Sequence, residues 1–174
     1  MAATPHPGSD SPIGLRDIRA SDRGFLREVY AQTRLEELAP LGWSPQQVDA
    51  FIDMQFEAQQ RDYWSHYDTA RFQVVTCGGV DAGRLYVERR EDELRVIDIA
   101  LLPRFRDRGI ATALFHPLFD EADAQGLAVR IHVELANRAQ RLYLRLGFAF
   151  TGESGPVYRL MERLPHAPRV RSAA

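Results

Sequence analysis

The chain has 174 residues, a formal net charge of −2, and 45% apolar against 26% charged residues, values of an ordinary globular domain. They exclude a general nucleic-acid binder, which carries a large basic excess, and no stretch approaches the ~20 continuous apolar residues of a membrane span. The single cysteine, Cys77, excludes an internal disulfide and a cysteine-based zinc site, so no metal is expected; it reads as a small apolar residue ending a strand.

Residues 1–12, MAATPHPGSDSP, lack a signal-peptide pattern and read as a disordered leader, with the cytoplasm as the natural compartment. The alternation in IGLRDIR predicts a first strand over 13–19. Ser21 and Asp22 are placed to cap a helix bearing Phe25, Leu26, Val29 and Tyr30. SPQQ at 44–47 is a sharper start signal, with Ser44 as N-cap, Pro45 as first helical residue and Gln47 as reciprocal partner. That second helix is expected to run to about Arg61, with Val48, Phe51, Ile52, Gln55, Phe56 and Gln59 on one stripe.

From Arg71 the period changes to two. RFQVVTC, GRLYVERR and LRVIDIALL read as strands joined by a Gly-Gly turn and a short EDE turn, hence antiparallel neighbours. A helix from Gly109 to about Gln125 follows, interrupted by Pro117, where a kink is expected. The strand AVRIHVE, a helix from Asn137 to Leu146 and two closing strands, FAFTG and VYRLMER, complete the order, and a loose tail is expected over 166–174. The fold class is α/β, a mixed, mostly antiparallel sheet of about seven strands flanked by helices, in one domain over 13–165.

All 22 basic residues are arginine, which excludes a lysine nucleophile and the lysine of a nucleotide-binding P-loop. The loop RDRGIATALF instead joins a strand end to a helix start, where unpaired N–H groups and the helix dipole favour an anion. Gly109 and Ala111 leave the main chain open to it, Thr112 offers a hydroxyl, and Arg104, Arg106 and Arg108 add charge opposed by Asp107.

Arg106-x-x-Gly109-x-Ala111 after a strand ending LLP resembles the pyrophosphate loop of the GCN5-related N-acetyltransferases, the GNAT superfamily. VELANRAQRLYLRLGF carries the second half of that resemblance, on Asn137, Ala139, Tyr143 and Gly147-Phe148. The likeness covers roughly residues 13–163 and implies the acyl-CoA N-acyltransferase fold. It also implies acetyl-CoA as co-substrate, its diphosphate on the amides of 106–112 and its pantetheine paired with Ile99 to Leu101 and met by Asn137. An N–H near Leu101 would stabilise the oxyanion and Tyr143 would protonate the sulfur. Asp98 interrupts an apolar strand and is either the base or an ion-pair partner of an arginine such as Arg84 or Arg95. Glu88, His132 and Glu134 are the other candidate bases.

The acceptor implied is a small-molecule amine or amino acid, met by the first two helices, with Glu36, Glu37, Trp43 and Tyr63 as an acidic-aromatic pocket. A homodimer is compatible with this reading, and no nucleic-acid or membrane partner is expected. The competing reading is a catalytically idle acyl-CoA-binding module, which would keep the loop and not need Tyr143.

Overall fold

The computed structural model describes residues 12–166. The leader and tail expected from sequence lie outside the described residues except at Pro12, whose carbonyl accepts from Gly78 N–H, and His166, whose N–H donates to Asp123.

In chain order the elements are β1 (Ile13–Asp17), α1 (Arg23–Leu38), α2 (Pro45–His66), β2 (Arg71–Cys77), β3 (Val80–Arg89), β4 (Glu93–Leu101), α3 (Ile110–Gln125), β5 (Ala128–Glu134), α4 (Gln140–Arg145), β6 (Ala149–Ser154) and β7 (Tyr158–Arg163). The strands form a single sheet in the order β1-β2-β3-β4-β5-β7-β6. β1 with β2, β5 with β7 and β6 with β7 are antiparallel, whereas β4 and β5 are parallel. The expected mixed sheet flanked by helices is therefore the one observed.

The described chain packs as two compact units, one of residues 12–86 and 99–110 and one of 87–98 and 111–166. In the first, α1 and α2 bury Leu26, Tyr30, Leu38, Ile52 and Phe56 against Val74 of β2. Their spacing of four or eight residues places them on one helical face, and full burial of each large side chain contributes about 1.5–3 kcal/mol. The capping box of α2 forms as read: Gln47 N–H donates to Ser44 Oγ at 3.3 Å, and Ser44 N–H donates to Gln47 Oε1 at 2.9 Å. Asp22 departs from its expected role. Its side chain makes no cap to α1. It takes both Arg16 nitrogens, at 2.7 and 3.0 Å, and Arg16 also binds Asp81. The Arg16 guanidinium holds the Asp22 carboxyl below the usual carboxylate range.

In the second unit the apolar alternates of β4, β5 and β7 (Leu94, Val96, Val129, Ile131, Val133 and Met161) are buried. An aromatic cluster of Phe115, Phe119, Tyr143 and Phe148 has ring centroids 5.5 to 5.8 Å apart. Arg163 is buried with a two-pronged bond to Asp123, at 2.8 and 3.0 Å. α3 continues through Pro117.

Candidate active site

β4 ends in a hinge of tight turns. Phe105 N–H donates to Leu102 O and Arg106 N–H to Pro103 O, forming one 3-10 turn whose Phe105 ring is buried. The chain then passes through Asp107 at φ 58° and Gly109 at φ 72°, both left-handed, before α3 begins at Ile110. Asparagine and aspartate tolerate that region better than other side-chain residues, whereas glycine enters it without strain. No atom stands within 4 Å of where a Cβ on Gly109 would lie, so the loop is open at its glycine, as close approach of an anion requires.

The arginines of this loop do different things. Arg104 is exposed, over the Phe105 ring. Arg106 turns inward, donating from Nε to Leu101 O at 2.9 Å and from Nη2 to Gln32 O at 3.3 Å. Its guanidinium is committed to main-chain carbonyls, and one of them belongs to the strand end expected to pair with pantetheine. Arg108, Ala111 and Thr112 are half-buried around the glycine.

The parting of β4 and β5 lies within the second unit. The two strands pair from Glu93↔Ala128 to Val96↔Ile131, and each runs on past the last pair. Beyond it, Asp98 shares the face of Leu94 and Val96 by strand alternation. Tyr143 is buried, edge-on to Phe115 at 5.8 Å. Desolvation, followed by the charge of Asp98, pushes its phenol well above the usual value of 10.0.

Asn137 does not open α4. Its Oδ1 accepts from Ala139 N–H at 2.8 Å and its carbonyl from Gln140 N–H at 3.2 Å, so a side-chain-closed turn precedes a helix that starts at Gln140. The side chain stays exposed.

The opposite face of β4 and β5 carries charge. Glu93, read from sequence as part of a turn, is the first residue of β4 and only 2% exposed. It accepts from Arg90, Arg95 and Arg130 at 2.8 to 3.1 Å. Burial pushes its carboxyl up, but the bonds from Arg95 and Arg130 outweigh that and hold it below the usual 4.5. All three Arg95 nitrogens are engaged, two by Glu93 and Nη1 by His132 Nδ1 at 3.0 Å. Arg95 lies on the opposite face of β4 from Asp98 by strand alternation. Glu88 is buried and takes Arg90 Nε at 2.5 Å, and Glu134 takes the Tyr158 hydroxyl at 3.3 Å.

The acetyltransferase (GNAT) family model matches residues 25–148. The chain belongs to that family. Among solved structures, PaiA N-acetyltransferase from Thermoplasma acidophilum in complex with coenzyme A is 16% identical over 88% of this chain and 99% of its own, with a TM-score of 0.65. An acetyltransferase from Thermus thermophilus is 14% identical over 87% of this chain and 96% of its own, TM-score 0.63. The ribosomal-protein-S18-alanine N-acetyltransferase from Escherichia coli is 18% identical over 91% and 98%, TM-score 0.55. These likenesses show the shared fold. No curated protein matches this chain in sequence.

In the first unit of this GNAT acyltransferase, Glu36 and Glu37 are both exposed on α1. Glu37 is exposed and paired with Arg34 on the α1 surface. This unit also buries a cation. Arg84 of β3 is 1% exposed, donates to Gln59 Oε1 at 3.0 Å and lies over the Tyr30 and Tyr86 rings at 6.0 and 5.5 Å. Tyr63 packs against Tyr67, Phe72 and Tyr86, and Trp43 against Phe51. Among the described residues, no group of three His, Cys, Asp or Glu is arranged to hold a metal ion, and no helix is long and apolar enough to cross a membrane.

Proposed function

We propose that this chain transfers an acetyl group from acetyl-CoA directly to a primary amine of a small molecule or amino acid, acting in the cytoplasm. The observation that carries the reading is membership of the GNAT family together with Tyr143 of its second motif, a buried phenol packed edge-on to Phe115. A protonated phenol suits a leaving thiolate, and an idle acyl-CoA sensor would have no use for one.

In this reading the main-chain N–H groups of 107–112 receive the diphosphate, Gly109 allows its approach, and Thr112 and Arg108 add a hydroxyl and a charge. Arg106 contributes by holding the loop to the strand end. The main chain of Ile99 and Leu101 aligns the pantetheine arm, and Asn137 presents its amide to it. The amine nitrogen forms a bond to the thioester carbonyl carbon as the carbon–sulfur bond breaks. Water in the gap between the parted strands relays the amine's proton to Asp98 on the face of Tyr143, and Tyr143 gives its own to the departing sulfur.

Calorimetric titration with acetyl-CoA and with free CoA tests the cofactor half, on wild type and on Gly109→Glu. Saturable binding in wild type and its loss in a still-folded variant is the expected result. Thiol release with a panel of primary amines then tests the chemistry. Absence of binding to both ligands by folded wild type would overturn the reading, and binding without turnover on any amine would favour the sensor.

A further inference from the structure

His132 is the first residue of β5 beyond its last pair with β4, on the face that also carries Glu93 and Arg95, and it is exposed. Its Nδ1 lies 3.0 Å from Arg95 Nη1. A guanidinium has only protons to give, so Nδ1 must accept, and its lone pair is occupied. The remaining proton of a neutral ring then sits on Nε2. Arg95 itself is fixed, because its other two nitrogens are bound to the buried Glu93.

We propose that His132 serves the acceptor molecule as a neutral hydrogen-bond donor through Nε2–H, with Arg95 as the positioning residue that fixes this tautomer. A base needs a free lone pair, and this ring has none. The leaving sulfur is served by Tyr143, which senses Asp98 on the Leu94–Val96 face. The amine must arrive from the opposite side of the parted strands, which is the side of His132. An Nε2–H there suits an oxygen acceptor, a carbonyl or carboxylate borne by the amine.

The surrounding charges agree. Arg95 and Glu93 face His132 from β4, Arg90 from the β3–β4 turn, Arg130 and Glu134 from β5 itself, and Glu162 and Tyr158 from β7, where Glu162 is bound to Arg130. Desolvation first, then Arg95, hold the imidazole below its usual 6.5, with Glu93 opposing. The ring is thus uncharged at neutral pH.

Two measurements test this. Two-bond proton–nitrogen spectra of histidine-labelled wild type, with His132 assigned by its loss in His132→Gln, should show the Nε2–H tautomer at pH 7. They should also show a titration midpoint below that of a free histidine, and Arg95→Leu should raise that midpoint and mix the tautomers. An Nδ1–H tautomer or an imidazolium at pH 7 would overturn the proposal. Only the second measurement rests on the acetyltransferase reading. With an amine that the thiol-release panel turns over, His132→Ala should raise the acceptor KM about tenfold, the worth of one hydrogen bond, and leave the acetyl-CoA KM unchanged. His132→Gln, which keeps a donor at that reach, should restore it with an unaltered pH profile. Loss of the acidic limb in His132→Gln would make His132 the base instead. Should no amine turn over, that reading fails while the spectra still decide the tautomer.

Discussion

Arg106 donates from Nε to the carbonyl oxygen of Leu101 at 2.9 Å, so the first arginine of the loop faces back to its own strand. With Nη2 on Gln32 O, it ties loop, strand end and α1 together. Charged hydrogen bonds of this kind are each worth about 1.5–3 kcal/mol. Arg106→Ala should therefore lower the melting temperature and weaken acetyl-CoA binding about tenfold, because the loop amides lose their alignment. The salt dependence of binding should stay that of wild type, since no phosphate-bound charge is removed. Affinity and salt dependence falling together would mean that the guanidinium reaches the diphosphate.

Gly83 lies pressed against the end of β4. A methyl on it would overlap Ala100 O and stand 2.7 Å from Leu101 Cδ2 and 2.9 Å from Leu101 Cα. Backbone atoms cannot yield as a side-chain tip can, and Leu102 N–H is bound to Ala82 O at 2.9 Å beside the contact. Gly83→Ala is expected to cost about 1–3 kcal/mol of stability by overpacking, read by denaturant unfolding, and to weaken acetyl-CoA binding through β4. Gly24 near the start of α1 is the control. Nothing stands within 4 Å of its Cβ position, so Gly24→Ala should gain up to about 0.5–1 kcal/mol from helix propensity.

Features set by local rules were legible before any coordinates. The Ser44–Gln47 box, the β2–β3 and β3–β4 hairpins, and the turn from β4 into α3 depend on residues a few positions apart. What escaped depends on distant partners. Asp22 reads as a helix cap, yet Asp81, 65 residues from Arg16, helps fix the guanidinium that claims it. Glu93 looks like a solvated turn residue because nothing local reveals that Arg130 will reach it. The insertion of β7 between β5 and β6 is a matter of long-range strand pairing, which no period encodes. Asn137 reads as a helix start, but a short polar side chain bonding two residues on competes with the helix and delays it to Gln140. Of the candidate site, residue types were legible in the loop and in Tyr143; the inward turn of Arg106 was not.

Glu93 should make stability depend on acid. Its folded carboxyl is held below 4.5, so the unfolded chain binds the proton more tightly than the folded one. The stabilisation is full above the ordinary glutamate range and is lost as pH falls through the lowered folded value. Glu93→Gln should destabilise the protein by about 3–5 kcal/mol at neutral pH, because Arg95 keeps its largely buried charge without a carboxylate partner, whereas Arg130 retains Glu162. It should also flatten the acid side of the stability profile, measured by urea unfolding between pH 3 and 7. An equally steep profile in the variant would assign that acid dependence to other carboxylates such as Asp22 and Asp123, both also held low.

Tyr143→Phe separates chemistry from packing. The ring lies among Phe115 and Phe148, at 5.8 Å from each, and phenylalanine fills the same volume, so fold and acetyl-CoA affinity should be close to those of wild type. Turnover should fall about 10²- to 10⁴-fold with the loss of a general acid. The pH profile supplies the sign. A phenol acting as acid is lost as pH rises through its folded value, which burial and Asp98 hold above 10.0. The wild-type rate should therefore show no alkaline fall up to pH 10 from this group. Asp98→Asn removes the charge that opposes ionisation, so any alkaline limb should move down in pH in that variant. A Tyr143→Phe enzyme with wild-type turnover would remove Tyr143 as the acid and leave water as the proton source.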